Sequence, residues 1–327
     1  VVRRLNMDAH HGRLITEKES MRQLVLYAAD TPNSWKVAAL LEELGVNYDV
    51  INVAIMQNEQ KETKYVGMNP NGRTPTLLDR SVSPPFAVFE SNAILIYLAD
   101  KFKSALLPHS PTGRSEVEQW LMWQISALGP MLGQCMYMKR IATCSNEVSK
   151  VQFSIDRFHA ESVRLLKVLD AHLTDRDYIC GQARGEYSLA DLACFGYAAC
   201  YWWAGISIDD MPSVRRWLDL LFKRPALVRG MRVPGVPLLG PTSILFEQMI
   251  SDASIRLAIE RSALNAGRPD FNWLDVKAIS NLDGGAVFVS DASPSPSNKT
   301  IMRRTFGIRM VGAAFVVGFL LGSITRR

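Results

Sequence analysis

The apolar run Leu24-Val25-Leu26-Tyr27 is short and continuous, which predicts a buried strand, and Val37-Ala38-Ala39-Leu40-Leu41 after it belongs to a helix over Ser34 to Leu44 closed by Gly45. A second strand is predicted over Tyr48 to Val53, followed by a short polar helix near Glu59 to Val66. The chain therefore opens βαβα. Turn residues in NPNGRTPTLLD, 69–79, give way to a strand at Thr76, and Ala87-Val88-Phe89 supplies another. A helix over 91–102 follows, with Ile94, Leu95, Tyr97 and Leu98 as its apolar side. Farther on, Ile155, Phe158, Ser162, Leu165 and Leu169 mark one helix face, and Ser188 with Asp191 fit a capping box. Gly129-Pro130 is expected to kink a long helix, while Trp120, Trp123, Met131, Met136, Tyr137 and Trp202 are expected mainly in the core.

Composition narrows the class. A chain of 327 residues, 48% hydrophobic and 21% charged, suits a soluble globular protein with room for two domains. Its net charge of +5 comes from the end: Lys299, Arg303, Arg304, Arg309, Arg326 and Arg327 follow Asp291 with no acidic residue among them. Without those six the charge is −1, so the body presents no basic face for nucleic acid. Cys135, Cys144, Cys180, Cys194 and Cys200 form no CxxC pair and no metal-ligand spacing with histidine. No metal and no disulfide framework are expected, and the compartment reads as reducing and cytoplasmic. The first 134 residues hold no cysteine, so thiol chemistry there requires a thiol brought by a ligand.

Candidate chemistry sits where strands hand over to helices. In TPNSWK, 31–36, small polar residues at a helix start can cap free backbone N–H groups or hold an anion. FESNAI, 89–94, repeats the arrangement, with Ser91 as N-cap by composition. Pro75 precedes a strand; a trans bond would only begin an edge strand, whereas a cis bond would turn the Thr74 backbone outward to pair with an extended peptide. Two anion-ready helix starts beside a strand-like edge suit a short, acidic, thiol-bearing peptide.

TPNSWKVAALLEELG, NPNGRTPTLLD and FESNAILIYLADKF resemble the thioredoxin-like half of a cytosolic glutathione transferase. WLMWQISALGPMLGQ, YSLADLACF and MPSVRRWLDLLFKRPAL are similar to its all-helical half, and the likeness spans residues 22–234. The TPN turn resembles bacterial nu-class, disulfide-reducing transferases and the related fungal nitrogen-regulator-like proteins. The implied fold is an α/β thioredoxin-like N-terminal domain followed by an all-α helical domain, with a C-terminal extension. Residues 1–20, which hold no apolar core, read as a disordered tail, and the implied division after them is a thioredoxin-like glutathione-binding domain 21–103, a linker 104–111 and a helical domain 112–234.

The resemblance implies that Thr31 and Asn33 donate hydrogen bonds to the glutathione sulfur and favour its thiolate. Pro75 falls at the family's cis-proline, so the Thr74 backbone would meet the cysteinyl part. Glu90 would bind the γ-glutamyl ammonium and Ser91 its carboxylate. Arg157 matches a position that reaches glutathione, from its own or a neighbouring subunit, against an ion pair with Glu161; Asn58 and Gln60 match polar ligand contacts loosely. Tyr27 reads as packing. Ser34 stands where relatives often have Gly, which leaves a serine-type hydroxyl contact to the sulfur as an alternative, and Asn92 stands where they carry Gly or another small residue. The implied partners are glutathione, as substrate, with a small electrophile or disulfide, in a homodimer serving conjugation and detoxification or disulfide and peroxide reduction. A non-enzymatic regulator or binding module on the same scaffold, or a membrane-tethered scaffold, is the alternative.

Residues 235–304 read as extension and linker. Met310 to Ile324 is uncharged between arginines, so 305–327 is a candidate tail anchor to an intracellular membrane, against a buried or interfacial helix. The uncharged stretch falls short of the roughly 20 residues that span a bilayer, and snorkelling arginines extend its reach.

Overall fold

The computed structural model describes residues 12–14, 22–145 and 148–234. The extension and the candidate tail anchor lie outside them. Among the described residues, no helix is long and apolar enough to cross a membrane.

Strand β1 (Gly12–Leu14) is followed by β2 (Leu24–Ala28), helix α1 (Pro32–Glu43), β3 (Tyr48–Asn52), two 3₁₀ turns (Ile55–Gln57 and Glu59–Lys61) and the short α2 (Thr63–Val66). Then come β4 (Thr76–Asp79), β5 (Phe86–Phe89) and α3 (Ser91–Lys101). The sheet order is β1-β3-β2-β4-β5, with β1, β3 and β2 parallel and β4 and β5 antiparallel. This is the thioredoxin-like arrangement. Gly12–Leu14 pairs along β3 inside the stretch that the sequence reads as a tail, because β3 would otherwise leave its outer edge unpaired.

All five residues of β2 are buried because the strand is central and covered on both faces. Leu24, Leu26 and Ala28 face the main core with α1 and α3, whereas Val25 and Tyr27 face a smaller core with Ile51, Val53 and Tyr65. Tyr27 meets Tyr65 edge to face at 6.1 Å, so it packs as its sequence context predicts.

The second half is helical: α4 (Pro111–Trp123), α5 (Gly129–Ser145), α6 (Val148–His172), α7 (Leu189–Ala198), α8 (Pro212–Phe222) and α9 (Pro225–Gly230). Between α4 and α5, residues Gln124–Leu128 form a π-helical turn in which the Gly129 N–H reaches back to the Gln124 carbonyl. Pro130 lacks the N–H that would bond four residues back, and widening the turn absorbs that loss. The expected interruption therefore begins one turn before Gly129-Pro130. Trp120, Trp123, Met131 and Met136 pack partly buried against the main core, and Tyr137 is exposed. Ser188 and Asp191 complete the capping box of α7.

One core joins both halves, and α1 is its hinge pin. Gly230 of α9 lies so close to Ala39 that a Cβ there would come within 2.3 Å of the Ala39 backbone. Arg229 donates to Glu42 at 2.8 Å, and Arg224 holds Glu43 through two bonds at 2.8 and 3.0 Å while stacking on Tyr187. Deeper in, Lys36 of α1, only 2% exposed, donates to Gln124 Oε1 at 2.8 Å, and Asn92 of α3 donates to the same oxygen at 3.1 Å. These contacts fix where α1 begins, and the candidate site begins with it.

Candidate functional site

The sheet register decides which loops meet. Tyr27 of β2 pairs with Thr76 of β4, and Thr76 pairs with Phe89 of β5. Consequently the segment leaving β2 (residues 29–31), the segment entering β4 (Thr74-Pro75) and the segment leaving β5 (Glu90-Ser91) lie at one end of the sheet. The Thr74–Pro75 bond is cis, as the resemblance implies.

Thr31 is the N-cap of α1, with extended backbone and a hydroxyl that accepts from the Ser34 N–H at 3.3 Å. Ser34, fully buried, places its own hydroxyl 3.1 Å from that of Thr31 and accepts from the Ala29 N–H at 3.3 Å. Asn33 accepts from the Ser91 hydroxyl at 3.4 Å and donates to the Tyr197 hydroxyl of α7 at 3.2 Å. The two helix starts are thus joined side chain to side chain.

Glu90, not Ser91, is the N-cap of α3, and it does so with φ +67. The composition-based assignment of Ser91 as cap is corrected by one position, because the chain passes from β5 into α3 through that left-handed turn. A non-glycine residue held there costs about 1–3 kcal/mol, and such outliers concentrate at ligand sites. Glu90 is exposed and receives the Asn71 side-chain amide at 3.3 Å. Beneath it, Asn69 bonds the Arg73 carbonyl at 2.7 Å and the Thr76 hydroxyl at 3.0 Å, and Tyr65 bonds the same two groups at 2.8 Å each. The loop that presents Thr74 is therefore anchored on both sides.

The remaining candidates are placed differently. Gln60 is buried, donates to the Ile55 carbonyl at 3.3 Å and leaves its own carbonyl oxygen without a partner. Asn58 is exposed in left-handed backbone between the two 3₁₀ turns. Neither is hydrogen-bonded to the Thr31–Asn33–Ser91 group. Arg157 is exposed on α6, where Glu161 makes its close ion pair with Arg164 at 2.7 Å. After Arg164, Arg157 acts on Glu161 as a further, weaker charge that helps lower its carboxyl pKa.

Two residues escape sequence reasoning. Tyr197 is 164 positions from Asn33, and nothing local marks it. Asn71 stands in the quoted NPNG turn, where it reads only as a turn former.

Four of the five thiols are held protonated by burial. Burial pushes the thiols of Cys180 and Cys200 up to about 12, and those of Cys135 and Cys194 also rise. These four are buried and protonated at neutral pH. Burial likewise draws Lys36 down to about 7 and lifts the Tyr197 hydroxyl to about 12. Among the described residues, no group of three His, Cys, Asp or Glu side chains could hold a metal ion.

A family model for the glutathione S-transferase N-terminal domain matches residues 22–100. The disulfide-bond oxidoreductase YfcG of Escherichia coli is 33% identical over 204 residues, 62% of this chain and 91% of that protein. A glutathione transferase of Burkholderia graminis, solved with two glutathione molecules bound per subunit, superposes with a TM-score of 0.58 at 37% identity, covering 65% of this chain and 88% of that one. A Pseudomonas putida glutathione transferase, solved with one glutathione disulfide per subunit, gives 0.58 at 35% identity, covering 65% and 92%.

Proposed function

Because the chain belongs to the glutathione S-transferase family, we propose that it holds glutathione at the junction of α1 and α3 and uses its thiolate to reduce disulfides. The observation that carries this reading is the Asn33–Ser91 contact, which joins the two helix starts at the end of the sheet where cis Thr74-Pro75 lies.

Each group has a role in that reading. Glu90 takes the γ-glutamyl ammonium, while Ser91 and the first N–H groups of α3 take the carboxylate. The Thr74 backbone pairs with the cysteinyl unit as a neighbouring strand would. Thr31 and the second amide proton of Asn33 then donate to the sulfur, and together with the α1 dipole they stabilise it as thiolate. Gln60, Asn58 and Arg157 are peripheral contacts, Arg157 from its own or a partner subunit. Exposed Phe86 and Phe89 on edge strand β5 support a homodimer.

The thiolate attacks one sulfur of a substrate disulfide, a new S–S bond forms to glutathione, and the other sulfur departs as thiolate and takes a proton from water. A second glutathione repeats the exchange, giving glutathione disulfide and the second thiol. The pair of glutathiones in the Burkholderia relative and the glutathione disulfide in the Pseudomonas relative suit such a sequence. The buried, protonated cysteines favour the ligand's sulfur over the protein's own as nucleophile.

The test is turnover of glutathione with a small disulfide, alongside ultraviolet titration of the bound thiol. Wild type should reduce the disulfide and hold the bound thiol below its free pKa; Thr31→Ala with Asn33→Ala should raise that pKa and cut turnover more than binding. Turnover with an electrophile but not with the disulfide would make the reaction conjugation. Binding without either turnover would make the chain a regulator or binding module.

A further inference from the structure

We propose that the Ser34 hydroxyl is a positioning group that makes Thr31 an obligate hydrogen-bond donor, so that the first turn of α1 favours a sulfur anion over the protonated thiol. The proposal rests on the glutathione reading and names what enforces the protonation state there.

The polarity follows from counting donors and acceptors. The Ser34 oxygen already accepts the Ala29 N–H at 3.3 Å, and its side chain is wholly buried. Its single proton therefore needs an acceptor inside the protein, since a buried donor left unpaired is strongly disfavoured. The Thr31 oxygen, 3.1 Å away, is that acceptor. The Thr31 hydroxyl oxygen is also the second acceptor, at 3.3 Å, of the Ser34 backbone N–H, whose shorter bond goes to the Thr31 carbonyl at 2.9 Å, so both of its lone pairs are engaged by one residue. What Thr31 has left to offer is one O–H proton, and its side chain is only partly buried.

The opposite polarity strands a proton. If Thr31 donated to Ser34, the Ser34 oxygen would receive two hydrogen bonds and its own proton would have nowhere to go. With the favoured polarity, the donors run in one direction, from Ala29 N–H to Ser34 O–H to Thr31 O–H and out to the ligand. A thiol facing Thr31 accepts only weakly through its sulfur and finds no free acceptor on Thr31 for its own S–H, whereas a thiolate accepts the Thr31 proton strongly. Hydrogen bonds aligned in series polarise one another, and the N-terminal end of α1 adds a field of the same sign.

Three variants of the full chain test this by ultraviolet titration of bound glutathione. Ser34→Ala should raise the thiolate pKa by about 0.5 to 1 unit, the worth of one weakened hydrogen bond. The acid limb of the kcat/KM profile should move with it. Affinity for S-methylglutathione, which has no thiol proton, should change less than about twofold. Ser34→Gly should give the same shift, and being smaller it cannot fail by crowding the turn. An unmoved pKa in both variants, when Thr31→Ala does raise it, would overturn the proposal. So would an equal loss of affinity for glutathione and S-methylglutathione, which would make Ser34 only a brace for the turn. If Thr31→Ala leaves the pKa unmoved as well, the fault lies with the thiolate reading of Thr31, and the proposal falls with it.

Discussion

Tyr197→Phe isolates how the helical domain positions the chemistry of the other domain. The hydroxyl lost is the acceptor of the Asn33 amide at 3.2 Å; what remains for Asn33 is the longer 3.4 Å contact from Ser91. The ring stays where it is, because it packs over Gly129 and Gly133, where a Cβ would meet its carbons at 3.2 and 3.5 Å. The substitution therefore removes one neutral hydrogen bond with little change in packing. Such a bond is worth about 0.5–1.5 kcal/mol net, or roughly a 2- to 12-fold effect on any equilibrium or rate that needs Asn33 held in place. The expected result is a fall of about 3- to 10-fold in kcat/KM for disulfide reduction, with thermal stability lowered by no more than about 1 kcal/mol. Burial holds the Tyr197 hydroxyl at about 12, so it is protonated throughout the assay range and the ratio of variant to wild type should be flat from about pH 6 to 9. Unchanged kcat/KM in Tyr197→Phe, when Asn33→Ala is impaired, would refute the argument. A ratio that varies with pH would mean that Tyr197 titrates at the site.

Two further outcomes concern the frame that carries the site. Gly230→Ala places a Cβ within 2.3 Å of the Ala39 backbone, so α9 must move off α1; denaturant unfolding should show a loss of about 1–3 kcal/mol or more, and an unchanged midpoint would contradict the close approach. Lys36, facing Gln124, Asn92, Glu90 and Cys194, is drawn by burial to about 7 from the 10.5 of an exposed lysine. Between those values the unfolded chain binds the extra proton, so the penalty is full below pH 7 and stability rises with pH toward 10. Lys36→Met should remove that rise, seen in denaturant melts at about pH 7 and 9.5; parallel pH dependence in variant and wild type would disprove it.

The sequence by itself determined the elements and the chemical vocabulary of the site. The continuous apolar run Leu24–Tyr27 marks a central strand because such strands are covered on both faces, and β2 lies there; β3 lies where Tyr48–Val53 predicts. A capped helix start within residues 31–36 and the Ser188–Asp191 box were legible because capping is local, whereas α1 begins at Pro32 with Thr31 as cap, two positions before the predicted Ser34. Cis Thr74-Pro75 was legible only through resemblance, since its residues alone allow either isomer. What the tertiary structure alone decided is longer in range. Tyr27, Thr76 and Phe89 fall in one row across β2, β4 and β5, and this gathers three loops at one end of the sheet. The cap of α3 moved to Glu90 because a positive φ depends on how β5 enters the helix, which no residue type dictates. Tyr197 reached Asn33 because α7 packs on α1 through a shared core, with Gly196 against Pro32. The polarity of the Ser34–Thr31 pair likewise required knowing that Ser34 is buried. Hydrogen bonds acquire direction and strength from burial, and burial is a property of the assembled fold.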